Sequence, residues 1–143
     1  MKNLLLRIGC FIIFLLSISK AFALPVDGVV TAGSAAISQT TPQSLLIQQG
    51  TDRAIIDWQQ FNIAQGERVT IQQPGAESVL LNQVTGSDPS SIFGQLNANG
   101  RVFLSNPNGV FFSPTARVDV GSLLATTFQI SNSDFMSGNF QFA

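Results

Sequence analysis

Short apolar segments recur throughout residues 24–143, and turn-forming residues separate nearly all of them. In several segments two apolar residues stand two positions apart, a period that is typical of half-buried β-strands. No stretch keeps a helical period for more than about two turns, so the sequence predicts an all-β fold. The segments that carry the strand signal are Val69/Ile71, Val79/Leu81, Val102/Leu104, Val110/Phe112, Val118/Val120 and the apolar runs 45–47, 54–58 and 123–128.

The spacing of these strands leaves two all-β architectures open. Three of the strands begin with similar phrases, "GERVTI" at 66–71, "GRVFLS" at 100–105 and "ARVDVG" at 116–121. Such repetition fits a β-solenoid, in which each coil buries its apolar side chains on the next coil. It also fits a β-sandwich. Gln and Asn supply 21 of the 120 residues after position 23, and stacked amides that form ladders between coils favour the solenoid.

Two short helices are predicted to interrupt the strands. Asp88 and Pro89 suit the N-cap and first helical position, and apolar residues follow before Asn99 and Gly100. A weaker turn over 133–139 is predicted between Ser133-Asp134 and Gly138-Asn139.

The first 23 residues have the pattern of a secretory signal peptide. Two cations precede an apolar stretch over 8–18, and "SKAFA" then presents small residues at the positions that a signal peptidase requires. The stretch is shorter than the roughly 20 residues of a spanning helix, so a permanent membrane anchor is the weaker alternative. We therefore expect export by the Sec machinery and cleavage between Ala23 and Leu24.

The charge of residues 24–143 limits the partners of the protein. Four arginines and eight acidic residues give a net charge near −4, whereas nucleic acids and anionic membrane surfaces demand a basic face. Neither is expected as a partner. No cysteine remains after the signal peptide, so disulfides are not expected either.

The same residues offer little material for catalysis. Without His, Cys or Lys the chain cannot form a Ser-His or Cys-His pair, a Schiff base or an imidazole metal site. Asp52, Asp57 and Glu67 could in principle supply a carboxylate pair or a calcium site, but such acids are more often solvated or paired with arginine. We therefore expect that the protein is not an enzyme and that it binds no metal and no cofactor.

Trp58 and Phe61 lie in "IIDWQQFNI" among other apolar residues. They could form a platform for stacking a sugar. Large aromatic side chains are usually mostly buried, so a place in the core is the favoured interpretation.

The segment "VFLSNPNGVFF" holds a four-residue corner between two strands. Asn106 suits the first position of a type I turn, Pro107 the second, Asn108 the third and Gly109 the fourth. Any corner of a β-solenoid could use such a turn, so the turn alone does not indicate a partner.

At these residues the chain resembles the N-terminal two-partner secretion domain of the filamentous haemagglutinin family. The resemblance covers nearly all of residues 24–143. The segments that carry it are "VTAGSAAI" at 30–37, "IIDWQQFNI" at 55–63, "NQVTGSDPSSIFGQLNANGRVFLSNPNGVFF" at 82–112 and "LLATTFQIS" at 123–131.

The resemblance implies a right-handed parallel β-helix with an N-terminal cap. It implies a secretion-targeting domain of an adhesin-like or haemolysin-like protein, recognised by the periplasmic modules of an outer-membrane transporter, exported through the periplasm and released or held at the cell surface. Asn106, Pro107, Asn108 and Gly109 match the family's signature turn. A second family motif, Asn-Pro-Asn-Leu, has no match, as in the branch that lacks it.

Complete domains of this family are longer, so the chain is expected to hold an incomplete β-helix. Its last residues, 139–143, alternate like a strand that has been cut short. Unpaired strand edges promote association, so residues 24–143 alone should be marginally stable or self-associate. The alternative function is a stand-alone surface adhesin that binds a host glycan or protein.

Overall fold

The computed structural model describes residues 23–143, so the predicted signal peptide lies outside the described residues. This part of the chain has twelve strands and one short helix, and none of its helices is long and apolar enough to cross a membrane. The elements are β1 Val29–Ala32, β2 Ala35–Thr41, β3 Ser44–Gln49, β4 Arg53–Trp58, β5 Arg68–Gln72, β6 Val79–Val84, β7 Ser90–Ile92, β8 Gln95–Ala98, β9 Arg101–Ser105, β10 Val110–Phe112, β11 Arg117–Asp119, β12 Ser122–Thr126 and α1 Asn132–Ser137.

Parallel pairing stacks these strands into about four coils of a β-solenoid. One face is the parallel row β3-β5-β8-β11, and a second face is β4-β6-β9-β12. The third face is short: β7 pairs with β10, and Ile63 bridges to Ile92. The fold is thus the right-handed parallel β-helix that the resemblance implied.

Antiparallel strands cover the beginning of the solenoid. β1 pairs with β4, and β2 pairs with β3, so the first coil is not left with open edges. Ahead of β1, Val26 forms an antiparallel bridge with Gln60. These contacts form the expected N-terminal cap.

The solenoid interior is filled by one apolar cluster that runs through all the coils. Val69 and Ile71 of β5 point inward, as their spacing predicted, and stack on Leu96 and Ala98 of β8, respectively. Trp58 and Phe61 also lie in this cluster, at 1% exposure each, with their rings edge-on at 5.8 Å. The core interpretation of these two aromatics is therefore confirmed.

A second apolar cluster lies outside the solenoid, on the outer face of the β4-β6-β9 row. Ile55, Val79, Leu81 and Phe103 point outward there. The segment 130–142 folds across them, and Phe135 of α1 is fully buried against the sheet. The side chains of Val79 and Leu81 therefore point outward into this cluster, and Leu80 between them points into the solenoid.

Helix α1 begins close to the predicted turn at 133–139. Its N-cap is Ser131, two residues before the predicted cap, and Ser131 Oγ accepts a hydrogen bond of 3.1 Å from the Asp134 N–H. Gly138 ends the helix at φ +85°, where a residue without Cβ is favoured. Arg53 Nε donates to the Met136 carbonyl at 2.8 Å and ties the helix to β4.

Residues 139–143 form no strand. They pass over the outer cluster instead, where Phe140 and Phe142 lie 5.2 Å and 5.8 Å from the Phe103 ring. The alternation of these residues serves side-chain packing, and Ala143 alone exchanges main-chain hydrogen bonds with Gln129, at 2.8 Å and 3.1 Å.

Stacked amides connect the coils, as the Gln and Asn content indicated. Gln48 Nε2 lies 3.4 Å from Gln72 Oε1 on the surface, and Gln73 Nε2 donates to Gln49 Oε1 at 3.1 Å inside the corner. Gln73 also accepts from the Gly100 N–H at 2.7 Å and donates to the Arg101 carbonyl at 3.0 Å. The buried amides therefore link three successive coils.

The three similar phrases do not occupy one position in the coil. "GERVTI" and "ARVDVG" contribute β5 and β11 to the same face, where Arg68 and Arg117 align through Gln95. "GRVFLS" contributes β9 to the neighbouring face. The similar phrases therefore mark the start of a strand, and they do not mark the same position in successive coils.

Candidate functional site

The corner at residues 106–109 is a hydrogen-bonded β-turn between β9 and β10. The Gly109 N–H donates to the Asn106 carbonyl at 3.0 Å. Asn108 has a negative φ and no peptide bond in the described chain is cis, which excludes turn types II and VI. Gly109 has φ +115°, a conformation that side chains disfavour, so glycine at the fourth position is a backbone requirement.

Asn106 is the most highly bonded residue of the turn, and it is fully buried. Its Nδ2 donates to the Asp88 carbonyl at 3.0 Å and to Ser90 Oγ at 2.9 Å. Its Oδ1 accepts from the Asn108 N–H at 2.9 Å and from Asn108 Nδ2 at 3.1 Å. The Asn106 N–H donates to the Thr126 carbonyl at 2.9 Å, so one residue connects three coils.

The segment that receives Asn106 is not the helix predicted at 88–100. Ser90–Ile92 is strand β7, and Gln95–Ala98 is strand β8. The prediction was wrong because an Asp-Pro pair also suits the entry to a strand. Contacts with distant residues stabilise the strand conformation instead. Ser90 and Ile92 point inward, and β10 pairs with β7. Gly94 lies so close to the carbonyls of Ala64 and Glu67 that a Cβ there would clash with them.

Pro107 and Asn108 form the exposed part of the same turn. Asn108 Nδ2 donates to the Gly86 carbonyl at 2.9 Å, which holds the tip of the turn against the preceding coil. The two residues border a surface depression of about 350 Å³. The depression is lined by Gln83, Val84, Thr85, Gly86, Ser105, Pro107, Asn108, Gln129 and Ile130.

The structure does not bring the candidate carboxylates together. Asp57 lies on β4 and Glu67 precedes β5, which belong to different faces of the solenoid. Within residues 23–143, no group of three His, Cys, Asp or Glu residues could hold a metal ion. Among the described residues, the Asp52 carboxylate accepts a long contact of 3.4 Å from Ser78 Oγ.

Asp57 is nevertheless an unusual carboxylate. Its Oδ1 is buried without a hydrogen-bond partner, and burial raises the pKa of the carboxyl above its ordinary value by removing water from the charged form. The burial of Asp57 could not be predicted from the sequence. Asp57 points outward on β4, and its burial depends on which residues cover that face.

Trp58 offers no sugar-binding surface. Its Nε1 donates to Asn82 Oδ1 at 3.0 Å inside the solenoid, and Asn82 Nδ2 donates onward to the Phe103 carbonyl at 3.2 Å. The indole lies so close to Gly28 that a Cβ there would clash with its ring. Trp58 therefore joins three coils and the cap.

Ala23 and Leu24, the residues at the predicted cleavage site, lie against the first coil. Leu24 is 7% exposed and packs into the interior cluster. The Ala23 N–H donates to the carboxylate of Glu67, at 3.2 Å from Oε1 and 3.1 Å from Oε2. The cleavage itself remains a prediction.

Four parallel coils, an antiparallel cap and a bonded corner turn define the molecule as a capped right-handed parallel β-helix. Residues 21–143 match the family described as "TPS secretion domain". The chain belongs to this family, and the resemblance read from its sequence is confirmed. Proteins with this domain are secreted by two-partner systems, whose general partner is an outer-membrane transporter.

The relatives come from Haemophilus influenzae. One heme/hemopexin-binding protein is 42% identical over 110 residues, which cover 77% of this chain and 12% of the relative. A second, from strain ATCC 51907 / DSM 11121 / KW20 / Rd, is 44% identical over 109 residues, covering 76% and 12%. The chain thus spans only about an eighth of these relatives.

A solved structure agrees with the fold. The crystal structure of the HMW1 secretion domain from Haemophilus influenzae superposes with a TM-score of 0.78 at 36% sequence identity. The match covers 82% of this chain and 31% of that chain.

Proposed function

We propose that residues 24–143 direct an adhesin-like or haemagglutinin-like protein to its outer-membrane transporter and nucleate its β-helix outside the cell. The observation that carries the proposal is the family match over residues 21–143 on a capped solenoid that exposes half of the signature turn. The chain reaches the transporter from the periplasm, after Sec export and removal of residues 1–23 by signal peptidase.

In this proposal, two residues of the turn fix its shape and two contact the transporter. Asn106 is buried and Gly109 is constrained by its positive φ, so both act by shaping the corner. Pro107 and Asn108 are exposed beside the depression of about 350 Å³, and they are the members that a transporter module contacts.

Nucleation follows from the way a solenoid is built. Each coil mainly contacts its neighbours, so a formed coil is a template for the next one. Strands β10, β11 and β12 each have a partner on one side only, among the described strands. Their free edges can accept a further strand by main-chain hydrogen bonding, from the transporter during recognition and from following sequence during folding.

Export with the transporter supplied tests the turn. We expect Pro107→Ala and Asn108→Ala to reduce the amount of exported protein several-fold, while thermal unfolding of the purified variants stays close to that of the wild type. Asn139→Ala is the matched control, because Asn139 is an exposed asparagine outside the turn. Wild-type export of both turn variants would remove their side chains from transporter recognition.

The stand-alone adhesin gains no support, since the relatives align here through a secretion domain. Binding of heme or hemopexin is named for relatives of which this chain spans 12%, so it forms no part of the proposal.

A further inference from the structure

Glu67 is a carboxylate that points into the protein. It is 3% exposed, and its Oε1 accepts a hydrogen bond of 2.8 Å from the Ala64 N–H. Both of its oxygens also face the Ala23 N–H, at 3.2 Å and 3.1 Å. A buried carboxylate needs donors or a cation to replace its hydration, and the described arginines form no ion pair with Glu67.

The chain that follows Ala23 is firmly placed beside this carboxylate. Leu24 is buried in the interior cluster, and Pro25 is buried next to it. The Val26 N–H donates to the Gln60 carbonyl at 2.9 Å, and the Gln59 N–H donates to the Val26 carbonyl at 3.0 Å. Consecutive Cα atoms are about 3.8 Å apart, so the Leu24 nitrogen lies within about that distance of the Ala23 nitrogen, whose N–H donates to Glu67.

We propose that Glu67 is the binding site for the new N-terminus that processing creates. The proposal rests on cleavage between Ala23 and Leu24. Hydrolysis adds water across that peptide bond: Ala23 leaves with a carboxylate, and the Leu24 nitrogen becomes a primary amine that takes up a proton at neutral pH. The Ala23 N–H departs, and the Leu24 ammonium replaces it as the donor to Glu67.

The exchange strengthens the cap. A neutral amide is replaced by a cation, and charge-assisted hydrogen bonds are stronger than neutral ones. The buried carboxylate also gains a compensating charge that the unprocessed chain lacks. Removal of the signal peptide thereby joins the new N-terminus at Leu24 to Glu67, in the loop that leads into β5, by an ion pair.

The sequence allows a clean chemical test. Residues 24–143 contain no lysine, so within them the α-amine of Leu24 is the only amine after processing. An amine-selective acetylating reagent therefore removes this one charge. A protein that ends at residue 143 is processed by signal peptidase, recovered from the periplasm and compared with its acetylated form. Each form is measured with Glu67 and with Glu67→Gln, which keeps the shape of the side chain but not its charge.

We expect acetylation to lower the equilibrium constant for folding by about tenfold with Glu67 and by less than about twofold with Glu67→Gln, as for a coupled charged pair. Equal losses in both backgrounds would overturn the proposal. So would mass spectrometry that finds a first residue other than Leu24.

The wild type provides a measurement that does not depend on how the variant folds. The folded protein should acetylate at least about ten times more slowly than the protein in urea, since a neighbouring anion raises the pKa of the amine and lowers its free-base fraction. Equal rates would reject the ion pair. None of these readouts involves the transporter, so they succeed or fail independently of the export experiments.

Discussion

Asn106 and Ser90 are joined across neighbouring coils by a hydrogen bond of 2.9 Å from Asn106 Nδ2 to Ser90 Oγ, and neither side chain reaches solvent. The signature turn is thus built into the solenoid through its first residue. Its tip, by contrast, faces outward at Pro107 and Asn108. Stability and recognition are therefore separable within four residues.

Asn106→Ala should lower the free energy of unfolding by about 2 to 4 kcal/mol, because it leaves buried partners without hydrogen bonds. Asn108→Ala removes an exposed amide that bonds to the Gly86 carbonyl and to Asn106 Oδ1, and it should cost less than about 1 kcal/mol because water can replace exposed hydrogen bonds. Urea unfolding of both variants measures the difference. Similar losses at the two positions would show that the buried bonds of Asn106 are not special.

Gln73→Ala should be strongly destabilising, by about 2 to 3 kcal/mol, since Gln73 bonds to Gln49, Gly100 and Arg101 inside the corner. Gln72 is its neighbour in sequence but points outward, and it supplies the control. Gln72→Ala should change the free energy of unfolding by about 0.5 kcal/mol or less. Equal effects would argue against the buried amide stack as a stabilising feature.

Asp57→Asn should stabilise the protein at neutral pH by less than about 1 kcal/mol, because solvent at the partly exposed carboxyl screens the effect of burial. Burial raises the pKa of Asp57 in the folded state above its unfolded value, so the folded protein binds the proton more tightly. The wild type therefore carries no penalty below the unfolded pKa and loses stability as the pH rises through the folded pKa. The advantage of the variant should shrink on acidification.

Thermal unfolding across the acidic range compares the wild type with Asp57→Asn and with Asp119→Asn, which removes the same charge from an exposed strand. An advantage of Asp57→Asn that does not change with pH would contradict the burial argument.

A protein of residues 24–143 should self-associate. Phe111, Val118 and Leu124 are exposed on strands β10, β11 and β12, which form the edges of their sheets. Leu124→Lys should reduce association in sedimentation experiments, because a charged edge resists strand addition. Phe128→Lys changes a more exposed side chain outside the strands and should have less effect. A monodisperse, sharply melting wild type would refute the expectation.

The interior of the fold was largely predictable. Val69 and Ile71 alternate, and they point inward because a strand presents successive side chains to opposite faces. Trp58 could be assigned to the core from its apolar neighbours. The turn at 106–109 could be assigned because Pro and Gly restrict or permit particular backbone angles.

The helix predicted at 88–100 failed for a physical reason. Asp88 and Pro89 suit a helix start and a strand entry equally well, and distant contacts decide between them: β10 pairs with β7, and Asn106, eighteen residues from Asp88, donates to the Asp88 carbonyl. Val79 and Leu81 show the same limit, since their outward cluster exists only where segment 130–142 covers it.

The sequence by itself determined the strand class, the position of the signature turn and the family, because alternation, turn chemistry and short motifs are properties of neighbouring residues. Only the tertiary structure decided that Asn106 is buried while Asn108 is exposed, and that Glu67 meets Ala23. Those relationships depend on residues 16 to 44 positions apart, which stacking of the coils brings together.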